Sequence, residues 1–349
     1  MSKSYYSLGL MSGTSMDGVD ASIIQSDGEK KYKVILDKYF EYPQNIYKDL
    51  SKLRDKIKKS LDLKKFSKDI KNIEKKITLF HAKAANQIMK KTNVNVDLIG
   101  FHGQTIYHNA KDKISKQLGD GKILSQLTKK KVVYNFRKND LKNGGEGAPL
   151  TPVFHQMLEK KLNIKPVGFY NIGGILNKTT IQNDGRLSAG DIGPGMCLID
   201  KWIRTNSKKK YDTNGDIAKS GKVNEKVLEK YWNTWEAFIQ WNPKKKSYDT
   251  SDFDISLVKD LSLEDGAATL TLHTANFLLT TFEIRKKFKN CQKEKKILCG
   301  GGRKNKFLVD IIKNSYANEN VKLIDEYGID GDFIESQAFA YLAIRSYLK

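Results

Sequence analysis

Two aspartates set among glycines, Asp17 and Asp191, are the side chains of this 349-residue chain whose surroundings best suit chemistry. The first lies in Gly9-Leu10-Met11-Ser12-Gly13-Thr14-Ser15-Met16-Asp17-Gly18-Val19-Asp20, between two strand-like runs. Tyr5 to Leu10 is β-prone, and Val19, Ala21 and Ile23 alternate with more polar neighbours. The stretch therefore reads as a β-hairpin whose glycines permit a tight turn with φ > 0. Backbone N–H groups in such a turn can converge on an anion. Gly13 and Gly18 would let the backbone approach a phosphate, Thr14 and Ser15 would add hydroxyl donors, and Asp17 or Asp20 would hold Mg²⁺ through water. No Gly-Lys-Ser/Thr follows, so this is not the P-loop, nor is it the dinucleotide fingerprint. Taken alone, the loop also fits an ordinary glycine hairpin.

Recurrence argues for more than a hairpin. A second cluster, Gly190-Asp191-Ile192-Gly193-Pro194-Gly195, follows Leu187 to Ala189 and precedes an apolar, helix-like run from Met196 to Ile203. A third, Gly300-Gly301-Gly302, follows the strand-like Lys296-Ile297-Leu298-Cys299 and leads into Phe307 to Ile312, apolar at helical spacing. The order strand, glycine loop, helix suits two half-molecules that grip a nucleotide, with one phosphate loop from each half and a glycine shelf for the adenosine. Each loop is expected at a strand end, where open α/β sheets present ligand sites.

Taken in order along the chain, these landmarks resemble the anhydro-N-acetylmuramic acid kinases, a family within the acetate and sugar kinase, Hsp70 and actin superfamily. The resemblance covers most of the sequence. It rests on Met11 to Asp20, Gly100-Phe101-His102-Gly103-Gln104-Thr105, Gly119-Asp120-Gly121, Asn135-Phe136-Arg137, and Gly144-Gly145-Glu146-Gly147-Ala148-Pro149. It continues through Asn171-Ile172-Gly173-Gly174, Asp191 to Gly195, Gly300 to Gly302, and Glu335 to Ala343. The chain departs from the family pattern at Met196, Glu146, Leu176 and Asn135, where Asn, Gln, Ala and Asp are usual.

The resemblance implies an ATP-dependent kinase that opens 1,6-anhydro-N-acetylmuramic acid with water and phosphorylates O6, giving N-acetylmuramic acid 6-phosphate in cell-wall recycling. It implies ATP contacts at Gly13, Thr14, Ser15, Met16, Asp17, Gly18, Val19, Asp20, Gly173, Gly174, Gly193, Gly195, Gly300, Gly301 and Gly302. Mg²⁺ is expected to arrive with ATP near Asp17. Asp191 is expected to be the base that takes a proton from the attacking water. By local preference, an aspartate beside glycine also fits a helix N-cap or a contact to Mg²⁺-bound water.

Candidate sugar contacts are His102, Gln104, Thr105, Arg137 and Glu335. The first three follow the apolar run Val96 to Phe101 and are expected at a strand end facing the cleft; a lone histidine there also fits a structural hydrogen bonder. Arg137 is one of only seven arginines against fifty-five lysines, and its planar fork suits a carboxylate such as a lactyl group. A surface ion pair with Asp140 is the alternative. Glu335 opens the last helix, where the helix dipole favours a carboxylate whatever its role.

The net charge of +22 raises a nucleic-acid reading. The basic excess concentrates in Lys48 to Lys91, with fifteen basic and five acidic residues. Yet Leu50, Leu53, Ile57 and Leu61, then Phe66, Ile70, Ile73, Ile77, Phe80, Ala84 and Ile88, recur at helical intervals, which makes the lysines the solvent face of amphipathic helices. Arginines and aromatics are not interleaved with them as a base-stacking surface requires. No specific nucleic-acid partner is expected, only nonspecific polyanion binding at low salt.

Cys197, Cys291 and Cys299 form no Cys-x-x-Cys pair, and the five histidines show no ligand spacing, so no protein-only metal site is expected. No 18-residue apolar run offers a membrane span, and, with a strand-like run starting at Tyr5, no signal peptide is expected. A cytoplasmic protein is expected, and a homodimer by resemblance. The fold class is α/β: a two-domain actin-like ATPase (ribonuclease H-like) fold with a nucleotide and sugar cleft between the domains. Residues 1–135 with 335–349 are expected to form the first domain and 136–334 the second. Val167 to Ile172 reads as a strand, Lys178 to Ile181 and Leu187 to Ala189 as a hairpin, and Lys208 to Lys222 as poor core material. Other readings are a kinase for another 1,6-anhydro sugar such as levoglucosan, or a sugar-independent ATPase of the same superfamily.

Overall fold

The computed structural model describes residues 3–13, 15–241, 247–287, 289–291, 293–316 and 320–349. The chain divides into two compact units, residues 1–161 with 333–349, and residues 162–332.

In the first unit, β1 (Tyr5–Ser12), β2 (Gly18–Ser26) and β3 (Tyr32–Glu41) form an antiparallel meander. The helices α1 (Gln44–Lys56), α2 (Ser60–Lys65) and α3 (Ser67–Met89) follow, and the chain returns through β4 (Leu98–Asn109) alongside β1. After β5 (Ile114–Leu118) and α4 (Gly121–Thr128), β6 (Lys131–Tyr134) adds in parallel to the first residues of β4. Two short helices close the segment, α5 (Phe136–Lys142) and α6 (Pro152–Leu162).

The second unit repeats the plan. Strands β7 (Val167–Ile172), β8 (Ile175–Ile181) and β9 (Leu187–Pro194) make the meander. Helices α7 (Cys197–Asn206), α8 (Asp216–Ser220), α9 (Glu225–Trp241) and α10 (Leu263–Lys286) follow. Strand β10 (Lys295–Cys299) lies parallel to β7, and β11 (Val321–Leu323), after α11 (Lys306–Ser315), lies parallel to β10. The last helix, α12 (Ile334–Leu348), belongs to the first unit.

Both sheets therefore have the order third, second, first, fourth, last, with the second strand antiparallel to its neighbours: β3-β2-β1-β4-β6 and β9-β8-β7-β10-β11. That topology, occurring twice, is the ribonuclease H-like fold of the actin-like ATPases.

Helix α12 sits against the first sheet because two glycines make room for its backbone. A Cβ at Gly9 would lie 1.8 Å from the Ser336 carbonyl oxygen, and one at Gly100 would lie 2.1 Å from that of Phe339. Polar bonds fix its register: Ser22 and Ser336 hydroxyls are 2.6 Å apart, and Gln337 accepts from Tyr32 and donates to Asp37. The lysine-rich helices bury Leu50, Leu53, Ile57, Ile70, Ile73, Ile77, Ala84 and Ile88 in the first core, as their spacing requires. Leu61 is the exception, 66% exposed on the short α2.

Three features differ from the sequence-based expectations. The first compact unit extends to 161 rather than about 135, because α5 and α6 pack on it: Phe136 meets Phe339 at 5.3 Å, and the buried Phe154 meets Tyr32 and Tyr341. Gly190 to Pro194 is strand and not loop, since β9 stays paired to β8 across a register shift at Leu176/Asn177. Within Lys208 to Lys222, Ala218 is wholly buried, and buried Asp212 accepts from the N–H groups of Ile217 and Ala218. Among the described residues, no helix is long and apolar enough to cross a membrane.

Candidate active-site groups in each unit

The β1–β2 turn of the first unit is open at one end and packed at the other. Pairing runs to Met11↔Asp20, and the turn beyond it is described at Gly13 and at residues 15–17; Thr14 lies outside the described residues. A Cβ at Gly13 would meet only Ser15 Oγ, at 3.8 Å, whereas one at Gly18 would lie 2.5 Å from Phe40 O and Tyr39 Oη. Gly18 is thus required by strand packing and not by ligand approach. Met16 takes a left-handed φ of 58° and buries its side chain in the core, as Val19 does. Neither side chain is available to a nucleotide. Ser15 and Asp17 are exposed, with Ser15 Oγ donating to Asp17 Oδ1 at 2.6 Å. The Tyr39 phenol bonds to Asp17, and burial together with Asp17, Asp20 and Glu41 raises its pKa, so it stays protonated. Asp20 lies half-buried in β2, opposite Met11 and Tyr39.

Strand β4 kinks at His102–Gly103, where Gly103 has φ +75° and the pairing with β1 slips by one residue. His102 and its neighbours are therefore mid-strand, at a bend, and not at a strand end. His102 Nε2 accepts from Arg137 Nε at 2.9 Å, and Nδ1 lies 2.7 Å from the Gly103 carbonyl, so the ring is neutral with its proton on Nδ1. Burial, then the Arg137 charge, hold its pKa well below the usual value. Arg137 Nη1 also donates to Gly147 O, while Asp140 instead accepts from the Gly147 N–H; the surface ion pair with Asp140 does not form.

Glu335, in the first turn of α12, feels the Arg137 charge without a direct ion pair between them among the described residues. Burial raises the Glu335 pKa against that charge and lowers the Arg137 pKa against Glu335. The arrangement is a half-buried acid and guanidinium with polar capacity to spare. Thr105 is half-buried, its hydroxyl accepting from Gln117. Gln104 does not fit the role of a sugar contact: it is wholly buried, and its Nε2 donates to Gly13 O at 2.9 Å.

In the second unit, Asp191 lies half-buried in β9 opposite Asn177, with Oδ2 accepting the Tyr248 N–H at 2.8 Å. It does not cap α7, whose N-cap position is Met196. The turn at Gly173 and Gly174 is stitched to the start of α7: Gly174 O accepts from Gly195 and Cys197, and Gly173 O from Met196. Thr274 on α10 donates to Gly195 O. A Cβ at Gly195 would lie 2.2 Å from Gly173 O, and one at Gly193 2.7 Å from Phe277. The Gly195 N–H is therefore engaged within the unit and not presented to a phosphate.

Beyond β10, Gly300 takes φ +80° against Asn171, and Gly302 packs on Ile172, but a Cβ at Gly301 would meet nothing within 4 Å. Only Gly301 of the three faces open space. Sequence reasoning missed what holds this shelf. Arg303, 5% exposed, makes a two-pronged bond to Asp325 (2.7 and 2.9 Å), further bonds to Asp332 (2.7 Å) and Asp330 (3.3 Å), and one to Gly300 O (3.1 Å). The available signal was an arginine, rare in this chain, directly after three glycines.

Among the described residues no group of three or more His, Cys, Asp or Glu side chains could hold a metal ion. The exposed Asp17 carboxylate fits the usual way Mg²⁺ is held, by one or two carboxylates and the substrate's phosphates.

Comparison with known proteins adds an independent line. A family model described as anhydro-N-acetylmuramic acid kinase matches residues 5–348. A protein of that name from Pelagibacter ubique (strain HTCC1062) is 53% identical over 356 residues, covering 100% of this chain and 94% of its own length. Proteins of the same name from Agrobacterium fabrum (strain C58 / ATCC 33970) and Rhizobium etli (strain ATCC 51251 / DSM 11541 / JCM 21823 / NBRC 15573 / CFN 42) are each 36% identical, covering 97% of this chain and 91% of their own.

Proposed function

This chain belongs to the anhydro-N-acetylmuramic acid kinase family, and from that premise we propose that it uses ATP to convert 1,6-anhydro-N-acetylmuramic acid to N-acetylmuramic acid 6-phosphate in cell-wall recycling. The observation that carries this is 53% identity, over the full chain, to a relative of that name. Asp191 is the base. It takes a proton from water as the water oxygen bonds to the anomeric carbon; the C1–O6 bond breaks, and O6 bonds to the γ-phosphorus as ADP leaves. The Tyr248 N–H fixes one oxygen of the Asp191 carboxylate, which supports a set orientation for that proton transfer.

Nucleotide phosphate contacts are assigned to the β1–β2 turn, through Gly13 and Ser15, and the adenosine shelf to Gly301. Asp17 would hold the Mg²⁺ that arrives with ATP, and the ion would supply neutralisation of developing phosphate charge. Arg137 is assigned to the lactyl carboxylate and Glu335, with Thr105, to polar groups of the sugar; His102, with both ring nitrogens engaged inside the protein, is not a direct sugar contact. His102 acts by holding Arg137: its lone-pair nitrogen receives the Arg137 Nε–H, leaving Arg137 Nη2 for the substrate. The reading carries a homodimeric, cytoplasmic enzyme with no membrane or specific nucleic-acid partner. Membership of the family does not favour levoglucosan or sugar-independent ATP hydrolysis.

With Mg²⁺-ATP, ADP release is expected to depend on 1,6-anhydro-N-acetylmuramic acid and to fall at least about a hundredfold in kcat/KM with levoglucosan, because the site's polar groups would be left unpaired by a sugar lacking the acetamido and lactyl groups. Equal rates with both sugars would overturn the substrate assignment, and equal ADP release without any sugar would overturn the kinase assignment.

A further inference from the structure

The turn assigned to nucleotide phosphate is braced by side chains that lie outside the turn itself. Ser12, buried at the end of β1, donates its hydroxyl to Gly18 O at 2.9 Å and so ties the two ends of the turn together. The same oxygen lies 2.6 Å from the Tyr42 hydroxyl and 3.3 Å from His81 Nε2. With the Ser12 proton on Gly18 O, Tyr42 is the donor to Ser12. His81 Nδ1 lies 2.8 Å from the Ile77 carbonyl, which can only accept, so the ring proton is on Nδ1. Burial lowers His81 to about 4, which keeps the ring neutral at ordinary pH.

Tyr42 also donates its backbone N–H to Asp17 O at 2.7 Å. One residue, just after β3, thus grips both ends of the turn, Ser12 by its hydroxyl and Asp17 by its N–H. The Tyr42 ring packs edge-on against Phe80 at 4.9 Å. A phenylalanine would make that packing equally well, so packing does not account for the hydroxyl. A backbone anion site gains affinity when its donors are already oriented, because ordering them is not charged against binding.

We propose that Tyr42 is a positioning residue for the nucleotide: its hydroxyl, through Ser12, presets the β1–β2 turn in the conformation that receives phosphate. This rests on assigning that turn to phosphate, and the test separates the two ideas.

In the full-length protein, ADP affinity with Mg²⁺ is measured by calorimetry, and KM is measured for ATP and for the sugar. One neutral hydrogen bond of ordinary net worth corresponds to roughly five- to tenfold. Tyr42→Phe is expected to raise the ADP Kd and the ATP KM by that factor, with the sugar KM and kcat at saturating ATP held within about twofold. Tyr341→Phe loses a buried hydroxyl bond of similar kind, to Gly28 O at 2.9 Å. It is expected to lower the melting temperature comparably and leave ADP affinity unchanged.

Unchanged ADP affinity in Tyr42→Phe, with affinity lost in Asp17→Ala, would overturn the proposal and leave the phosphate turn standing. Unchanged affinity in both variants would remove the turn assignment and the proposal with it. Equal losses in Tyr42→Phe and Tyr341→Phe would show general destabilisation and also overturn the proposal. If Tyr42→Phe does not fold, Ser12→Ala carries the same expectations.

Discussion

Asp191→Asn is expected to fold, bind nucleotide with unchanged affinity and lose at least about a hundredfold in kcat, the lower range for removing a positioned acid or base. Asparagine keeps the shape and an oxygen for the Tyr248 N–H, which Asp191 Oδ2 accepts at 2.8 Å. Strand β9 and its pairing across from Asn177 should therefore persist. What is lost is the ability to take a proton from water. An interaction present only in the transition state lowers kcat and kcat/KM together and leaves substrate KM nearly unchanged. Steady-state kinetics with calorimetric nucleotide binding checks both halves. Turnover within a few-fold of the parent would remove Asp191 from the base role, and loss of nucleotide binding would recast it as a binding group.

Arg303→Met is expected to destabilise the second unit by about 2–3 kcal/mol and to lower its melting temperature by roughly 5–10 °C. Methionine keeps much of the apolar stem but none of the donors. The arginine side chain is 4% exposed, while Asp325, Asp330 and Asp332 are 42%, 51% and 32% exposed. The expectation therefore sits below the cost of breaking a fully buried pair, because water can take up part of the orphaned charge.

The pH dependence has a definite sign. Burial raises the Asp325 and Asp332 pKa values, but hydrogen bonds and charge, from Arg303 for both and from Lys304 for Asp332, outweigh it and hold both below the ordinary carboxylate value. Their contribution is complete above the unfolded carboxylate pKa near ~4 and is lost as pH falls through the lower folded values. Parent and variant should differ most above about pH 5 and converge towards about pH 2. Thermal melts across that range check this, and a difference that grew as pH fell would contradict it. Because Arg303 also holds Gly300 O, the variant is expected to weaken ATP binding.

Local pattern made much of this fold readable in advance. The β-prone run from Tyr5 to Leu10, the alternation of Val19, Ala21 and Ile23, and the hairpin pattern of β8 and β9 carry their own signals, and the Ile70 to Ile88 spacing places one face of α3 in the core. Composition misled where tertiary pairing overrode it. Glycine and proline at 190–194 spell a loop, yet β8 holds them in a strand, and polar neighbours hid the buried Ala218.

The candidate site shows the same division. Gly13, Asp17, Asp191 and Gly301 could be picked from glycine clusters. The motif did not reveal which glycines serve packing: Gly18, Gly193, Gly195 and Gly302 all face neighbours closer than 3 Å to an added Cβ. Groups that act through distant partners left no local trace. Arg303 meets carboxylates 22 to 29 residues away, Ser12 meets Tyr42 and His81, and Gln104 reaches back to Gly13.

The central claim is that water opening of the anhydro bridge and phosphorylation of O6 occur in one turnover. The direct test is mass spectrometry of the sugar product formed with Mg²⁺-ATP in ¹⁸O-water, quenched early and fragmented to locate the label. The account predicts a ring-opened 6-phosphate with one ¹⁸O at the anomeric carbon and none in the phosphoryl group, formed in step with ADP. Label in the phosphate, or a phosphorylated sugar that keeps its anhydro bridge, would contradict it.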